Sequence, residues 1–119
     1  MTARSDYYTN TANEFLTKAR VHLAEDDLLQ ASEKGWGAAA QMVKAVADTR
    51  GWPHSSHRDL YRAVDRLADE TSVPQLKTLF RSAGTLHQNF YEGWMAVEDV
   101  ADGLSDVEEI VGRLQAAGD

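Results

Sequence analysis

The chain contains no cysteine, which excludes disulfide frameworks and thiolate metal or redox chemistry. Only two prolines occur among 119 residues, Pro53 and Pro74, and both sit where helical patterns stop. Strand signals are missing: there is no sustained period-two alternation and no Asn-Gly or Asp-Gly hairpin turn. No apolar run approaches the roughly 20 residues that cross a bilayer, so no membrane partner is expected. Residues 1–10 are polar and lack the apolar stretch of a secretory signal, so a cytoplasmic location is expected. A positive overall charge is missing too. Nineteen Asp and Glu against 12 Lys and Arg give a net charge of −7. An acidic surface repels phosphate backbones in general but leaves room for a local basic site. No Gly-x-Ser-x-Gly elbow and no Walker-type glycine loop appears, so neither serine-hydrolase nor P-loop chemistry is supported.

Amphipathic helices remain. One is expected over about Asp6–Ala24, with Tyr8, Ala12, Phe15, Leu16, Ala19 and Leu23 at helical spacing. A second is expected over about Asp27–Arg50, capped by Asp26 or Asp27 and closed by Gly51. Its small residues, Gly35, Gly37 and Ala38 to Ala40, suit close approach by a neighbour. A third runs over about His57–Glu70, capped by Ser55 or Ser56. A fourth, the longest, is expected over about Pro74–Asp102, capped by Thr71 or Ser72, with Phe90, Trp94 and Val97 continuing its core stripe to a stop at Gly103. A short last helix over about Ser105–Ala117 opens on the capping-box pair Ser105 and Glu108. No linker, repeat or low-complexity stretch divides residues 1–119, so one domain is expected. The expected fold is all-α: an antiparallel up-and-down four-helix bundle with a short additional C-terminal helix. Short connections are expected to set successive helices antiparallel.

Polar and aromatic residues concentrate in three places. On the second helix, Glu33, Gly37, Ala40 and Lys44 share a face, with Trp36 beside it. That face is either solvated or a polar wall on a pocket floored by Trp36. The loop from Arg50 through Trp52, His54 and His57 to Arg58 brings two His, two Arg and a Trp into nine residues. His titrates near neutrality, Arg grips phosphate in bidentate fashion, and the start of a helix favours anions. The alternative is that Trp52 plugs the bundle end while His57 and Asp59 cap a helix. On the fourth helix, His87, Asn89, Tyr91 and Glu92 lie close together with Arg81 upstream. Burying such groups unpaired is costly, so they are expected to face a pocket, a partner or the loop. His54, His57 and His87 have the residue type for zinc. A loop His-x-x-His lacks the helical His-Glu-x-x-His pattern, however, and no metal or cofactor is assigned.

Taken together, these segments resemble a known family. Ala31 through Ala40, Arg50-Gly51-Trp52, Ser56 through Leu60, and Leu86 through Glu92 are similar to the PaREP1-like group of small helical proteins, which look like relatives of the HEPN superfamily (higher eukaryotes and prokaryotes nucleotide-binding). The similarity spans about Tyr7 to Val111. It implies a helical bundle, usually a homodimer, that binds nucleotide, phosphate or RNA. It also implies two alternatives: a metal-independent ribonuclease of the toxin–antitoxin or defence type, with an antitoxin-like protein partner, or a noncatalytic dimerisation module using Gly35, Gly37, Trp36 and Trp94. In the ribonucleases an Arg is followed by a His after four to six residues. Arg81 and His87, separated by five, match that spacing and stand as the catalytic candidates; Arg50 and His57, separated by six, match it as well but lie across a loop. Ser82 follows Arg81 where the ribonucleases prefer Asn, Asp or His. On a straight helix, residues six apart point about 240° apart, so these two meet only across a bend or a dimer. The binding candidates are Glu33, Trp36, Lys44, Arg50, Trp52, His54, His57, Arg58, Asn89, Tyr91 and Glu92.

Overall fold

Apolar side chains at helical spacing bury themselves in one core shared by five helices. The computed structural model describes residues 2–118. The helices are α1 (Ala3–Ala24), α2 (Leu28–Arg50), α3 (His57–Thr71), α4 (Gln75–Glu92) and α5 (Val97–Gly118). No described helix is long and apolar enough to cross a membrane. α2 carries the core's centre, burying Ala31, Trp36, Ala38, Ala39, Met42, Val43 and Val46. It packs against each of the other four helices. Its glycines serve these contacts. A Cβ on Gly35 would lie 2.5 Å from Leu104 of α5, and one on Gly37 would lie 2.9 Å from Phe15 of α1. The two glycines therefore seat α5 and α1 within the chain.

Caps fix the connections. The Asp27 carboxylate accepts from the Gln30 N–H to start α2. Gly51, at φ 72°, ends α2 in the left-handed conformation that favours glycine. Ser56 caps α3 by accepting from the Asp59 N–H. Ser72 departs from expectation: it closes α3 in left-handed conformation, and Pro74 opens α4 without a side-chain cap.

The largest departure is the expected Pro74–Asp102 helix. It is two helices broken at Gly93, which has φ 64°. The break is held from inside. Asn89, buried near the end of α4, accepts the Met95 N–H at 2.8 Å and donates to Ser32 Oγ at 2.9 Å. Asp99 then accepts the Ala96 N–H at the start of α5. Trp94 and Val97 leave the core stripe and stand exposed. Gly103 does not stop a helix; it lies buried in α5 beneath Leu86. Ser105 and Glu108 form no cap, since Ser105 donates back to the Ala101 carbonyl and Glu108 pairs with Arg20. The short extra helix of the expected bundle is thus not the C-terminal one, because α5 has 22 residues.

The shortest helix is α3, with 15 residues, and it does not run antiparallel to α2. Its first residue, His57, meets Trp36 in the middle of α2, and Glu70 near its end pairs with Arg50 at the end of α2. The six residues 51–56 therefore carry the chain back along α2, within the roughly 20 Å that six extended residues can reach. α1, α2, α4 and α5 surround the core, and α3 lies along α2 and α4 with its start delivered to mid-bundle.

Candidate functional site

Glu33 and Trp36, three residues apart on α2, share a face toward α4. His87 and Tyr91, four apart on α4, present the opposing face. The back-running loop adds His57 from the start of α3. The three groups meet around the buried Trp36 indole. The His87 ring stacks on it with centroids 5.0 Å apart and planes 28° apart. His57 approaches the same indole edge-on at 5.1 Å and reaches His87 at 5.2 Å, the imidazoles being nearly perpendicular at 81°. Tyr91 stands edge-on to His87 at 5.3 Å and is 73% exposed. Phe80 and Tyr61, 4.8 Å apart, extend the aromatic cluster from Trp36 toward α3.

His87 Nδ1 lies 2.9 Å from Glu33 Oε1. An ionised carboxylate only accepts, so Nδ1 carries the hydrogen, and in the neutral ring Nε2 presents a lone pair. The His87 side chain keeps about a quarter of its surface, 24%. It is thus neither sealed in the core nor joined to an arginine. Among the described residues, no hydrogen bond claims His87 Nε2 or either ring nitrogen of His57. The site can therefore hold a polar ligand against imidazole and stack a flat ring on Tyr91. Arg58, exposed in the first turn of α3, stands next to His57.

The other candidates go elsewhere. Arg81 is exposed on α4, about 9 Å along the axis from His87 and on a different side of the helix. It lies beside Tyr61: burial pushes that phenol up, and the Arg81 charge opposes the rise. No described hydrogen bond joins Arg81 to His87, so the pair does not form one site within a single chain. Asn89 is the clamp already described, with both ends occupied inside the core. Trp52 is half-buried and carries the Arg50 and Arg66 guanidiniums over its ring, at 5.2 and 4.1 Å. Arg50 is also paired with Glu70. His54 turns away from His57 and contacts Asp48 at 3.3 Å and the edge of Tyr8. Burial pushes the Asp48 carboxyl up, but hydrogen bonds from His54 and Thr2 and the charge of Arg4 outweigh that and hold it below its ordinary value. Lys44 is half-buried on α2, and Glu92 is exposed at the end of α4. The loop's polar residues therefore divide: His57 belongs to the candidate site, while Arg50, Trp52 and His54 anchor the loop that delivers it. The spacing in the sequence did not distinguish these roles. Phe80 and Tyr61 were missed as neighbours because their contacts require the direction of α3.

The family model for the archaeal PaREP1/PaREP8 family matches residues 7–111. The chain belongs to that family. The match takes in α2, α3, α4 and every residue of the His87 cluster. This family member also resembles a protein from Sulfolobus solfataricus solved by crystallography. The two are 24% identical with a TM-score of 0.81, over 92% of this chain and 97% of the other. That likeness establishes a shared fold. Comparison with curated proteins gives no match.

Proposed function

We infer that this PaREP1/PaREP8 member is a HEPN-like module that binds nucleotide or RNA at the His87 cluster and works as a homodimer. The observation that carries the reading is convergence. Residues from α2, α3 and α4, far apart in sequence, place two imidazoles, an exposed tyrosine and a buried indole around one half-open point. Flat rings stack bases, and imidazole nitrogens and Arg58 contact phosphate. The net charge of −7 disfavours nonspecific phosphate binding. Homodimerisation draws support from exposed apolar side chains where α4 turns into α5: Leu29, Trp94 and Val97. A second copy covers this patch in the proposed assembly. An antitoxin-like partner is the competing occupant.

Fluorescence polarisation with a labelled single-stranded RNA tests the reading. The expected result is saturable, salt-sensitive binding that His87→Ala and Tyr91→Ala each weaken while the fold is kept. Absence of binding, or equal binding by both variants, overturns it.

A second reading, cleavage of the bound RNA, is favoured by the Glu33–His87 contact. A carboxylate holding Nδ1–H leaves Nε2 aimed as a proton acceptor, which is the arrangement of a positioned general base. In this reading His87 takes the 2′-hydroxyl proton. Arg81 stabilises the phosphorane only if it comes from the second copy.

A further inference from the structure

Cleavage of an RNA strand by its own 2′-hydroxyl is an in-line displacement at phosphorus. The entering oxygen loses a proton on one side of the phosphorus, and the leaving oxygen needs one on the opposite side. A single imidazole does not reach both positions at once. The site holds a second imidazole. His57 reaches the cluster from α3, perpendicular to His87 and 5.2 Å from it. Both rings rest against the same buried indole, which brings them side by side. The placement is deliberate at the level of backbone. The 51–56 loop runs back along α2 to bring α3's first residue to this point. Ser56 caps α3, and Asp59 accepts from the Ser55 N–H and hydroxyl, which fixes the turn immediately before His57. No described residue hydrogen-bonds the His57 ring, so both nitrogens are open to a ligand.

We propose that His57 is a second catalytic residue, the proton donor to the leaving 5′-oxygen, paired with His87 as the base. The proposal rests on the cleavage reading above. In the step, His87 Nε2 takes the 2′-OH proton, the 2′-oxygen forms its bond to phosphorus, and the phosphorus–5′-oxygen bond breaks. The 5′-oxygen takes a proton from the His57 imidazolium. The products are a 2′,3′-cyclic phosphate and a 5′-hydroxyl. One proton has passed to His87 and one has left His57, and exchange with water restores both rings.

The experiment uses the full chain with EDTA present and two short RNA substrates. One is ordinary; the other carries sulfur in place of the 5′-bridging oxygen, a leaving group that departs without protonation. His57→Ala is expected to slow cleavage of ordinary RNA by about 10²-fold or more. It is expected to cleave the sulfur substrate nearly as fast as the unaltered protein. His87→Ala is expected to be slow on both. His57→Gln, which keeps polar bulk at this exposed position, should behave as His57→Ala does. If His57→Ala cleaves ordinary RNA at the unaltered rate, or if sulfur does not rescue it, the donor role is overturned while the cleavage reading stands. If the unaltered protein cleaves neither substrate, the cleavage reading falls and this proposal falls with it.

Discussion

Replacing Asn89 with alanine separates a structural amide from the functional cluster two residues away. Asn89 is 1% exposed and spans two connections. Its amide donates to Ser32 Oγ on α2, and its carbonyl accepts the Met95 N–H where α4 turns into α5. Alanine removes both bonds. A net hydrogen bond contributes about 0.5–1.5 kcal/mol, and a donor left buried without a partner costs about 1–3 kcal/mol. Ser32 keeps its bond to the Leu28 carbonyl, so the Met95 N–H is the group left stranded. The expected cost is about 2–4 kcal/mol. For a chain of 119 residues, an unfolding entropy of about 2.1 cal/mol/K per residue turns this into a fall in Tm of about 8–16 °C. Calorimetry or circular dichroism measures it. In a double-mutant cycle with Ser32→Ala the two costs should fail to add by about 0.5–1.5 kcal/mol, since the shared bond is lost only once. Below the melting range, RNA binding by Asn89→Ala should match the unaltered protein. A Tm change under about 3 °C, or additive costs in the cycle, would refute the clamp.

Glu33→Ala frees the His87 ring to turn and to choose its tautomer, so cleavage should fall by about 10²-fold in the EDTA assay while the Tm barely moves. Glycines on two faces should respond with opposite sign. Gly35→Ala pushes a Cβ into Leu104 and should destabilise by about 1–3 kcal/mol in urea unfolding. Gly112→Ala meets open space in helical α5 and should stabilise by up to about 1 kcal/mol. Asp48 is held below its ordinary carboxyl value in the fold. Its stabilisation is therefore complete above the unfolded value, near pH 4, and is lost as pH falls through the depressed folded value. The Tm gap between the unaltered protein and Asp48→Asn should be open at pH 7 and close below that range. Trp94→Asp should break the proposed homodimer, read as a fall from dimer to monomer mass in light scattering after gel filtration.

Local signals in the sequence located α2 and α3 well, because each begins or ends on a residue whose chemistry acts nearby: Asp27, Gly51 and Ser56. α1 starts at Ala3 on a Thr2 cap, ahead of the expected Asp6. The α4–α5 boundary was hidden. Leu86, Phe90, Trp94 and Val97 keep helical spacing across a turn that the backbone does not follow, and Gly103 looks like a stop although it is a packing glycine. Gly93 followed six residues later by Asp99 carried the signal, but it only becomes decisive once Asn89 is seen taking the Met95 N–H. The direction of α3 was likewise not legible. A six-residue loop is long enough either to reverse the chain or to return along the helix it left, and nothing in its composition decides between these. The clusters around Glu33, His57 and His87 were recognisable from residue type. Which members would meet depended on that direction, so Trp52, His54 and Arg50 carried the same apparent weight as His57.

The central claim is that RNA or nucleotide binds at the Trp36–His57–His87–Tyr91 cluster. Titrating a short single-stranded RNA into isotope-labelled protein and following the histidine and tryptophan side-chain resonances by NMR tests it directly. The account predicts that His57, His87 and the Trp36 indole shift together along one saturation curve, while His54 and the Trp52 indole stay in place. Shifts centred on Trp52 and His54, or none at all, would contradict it.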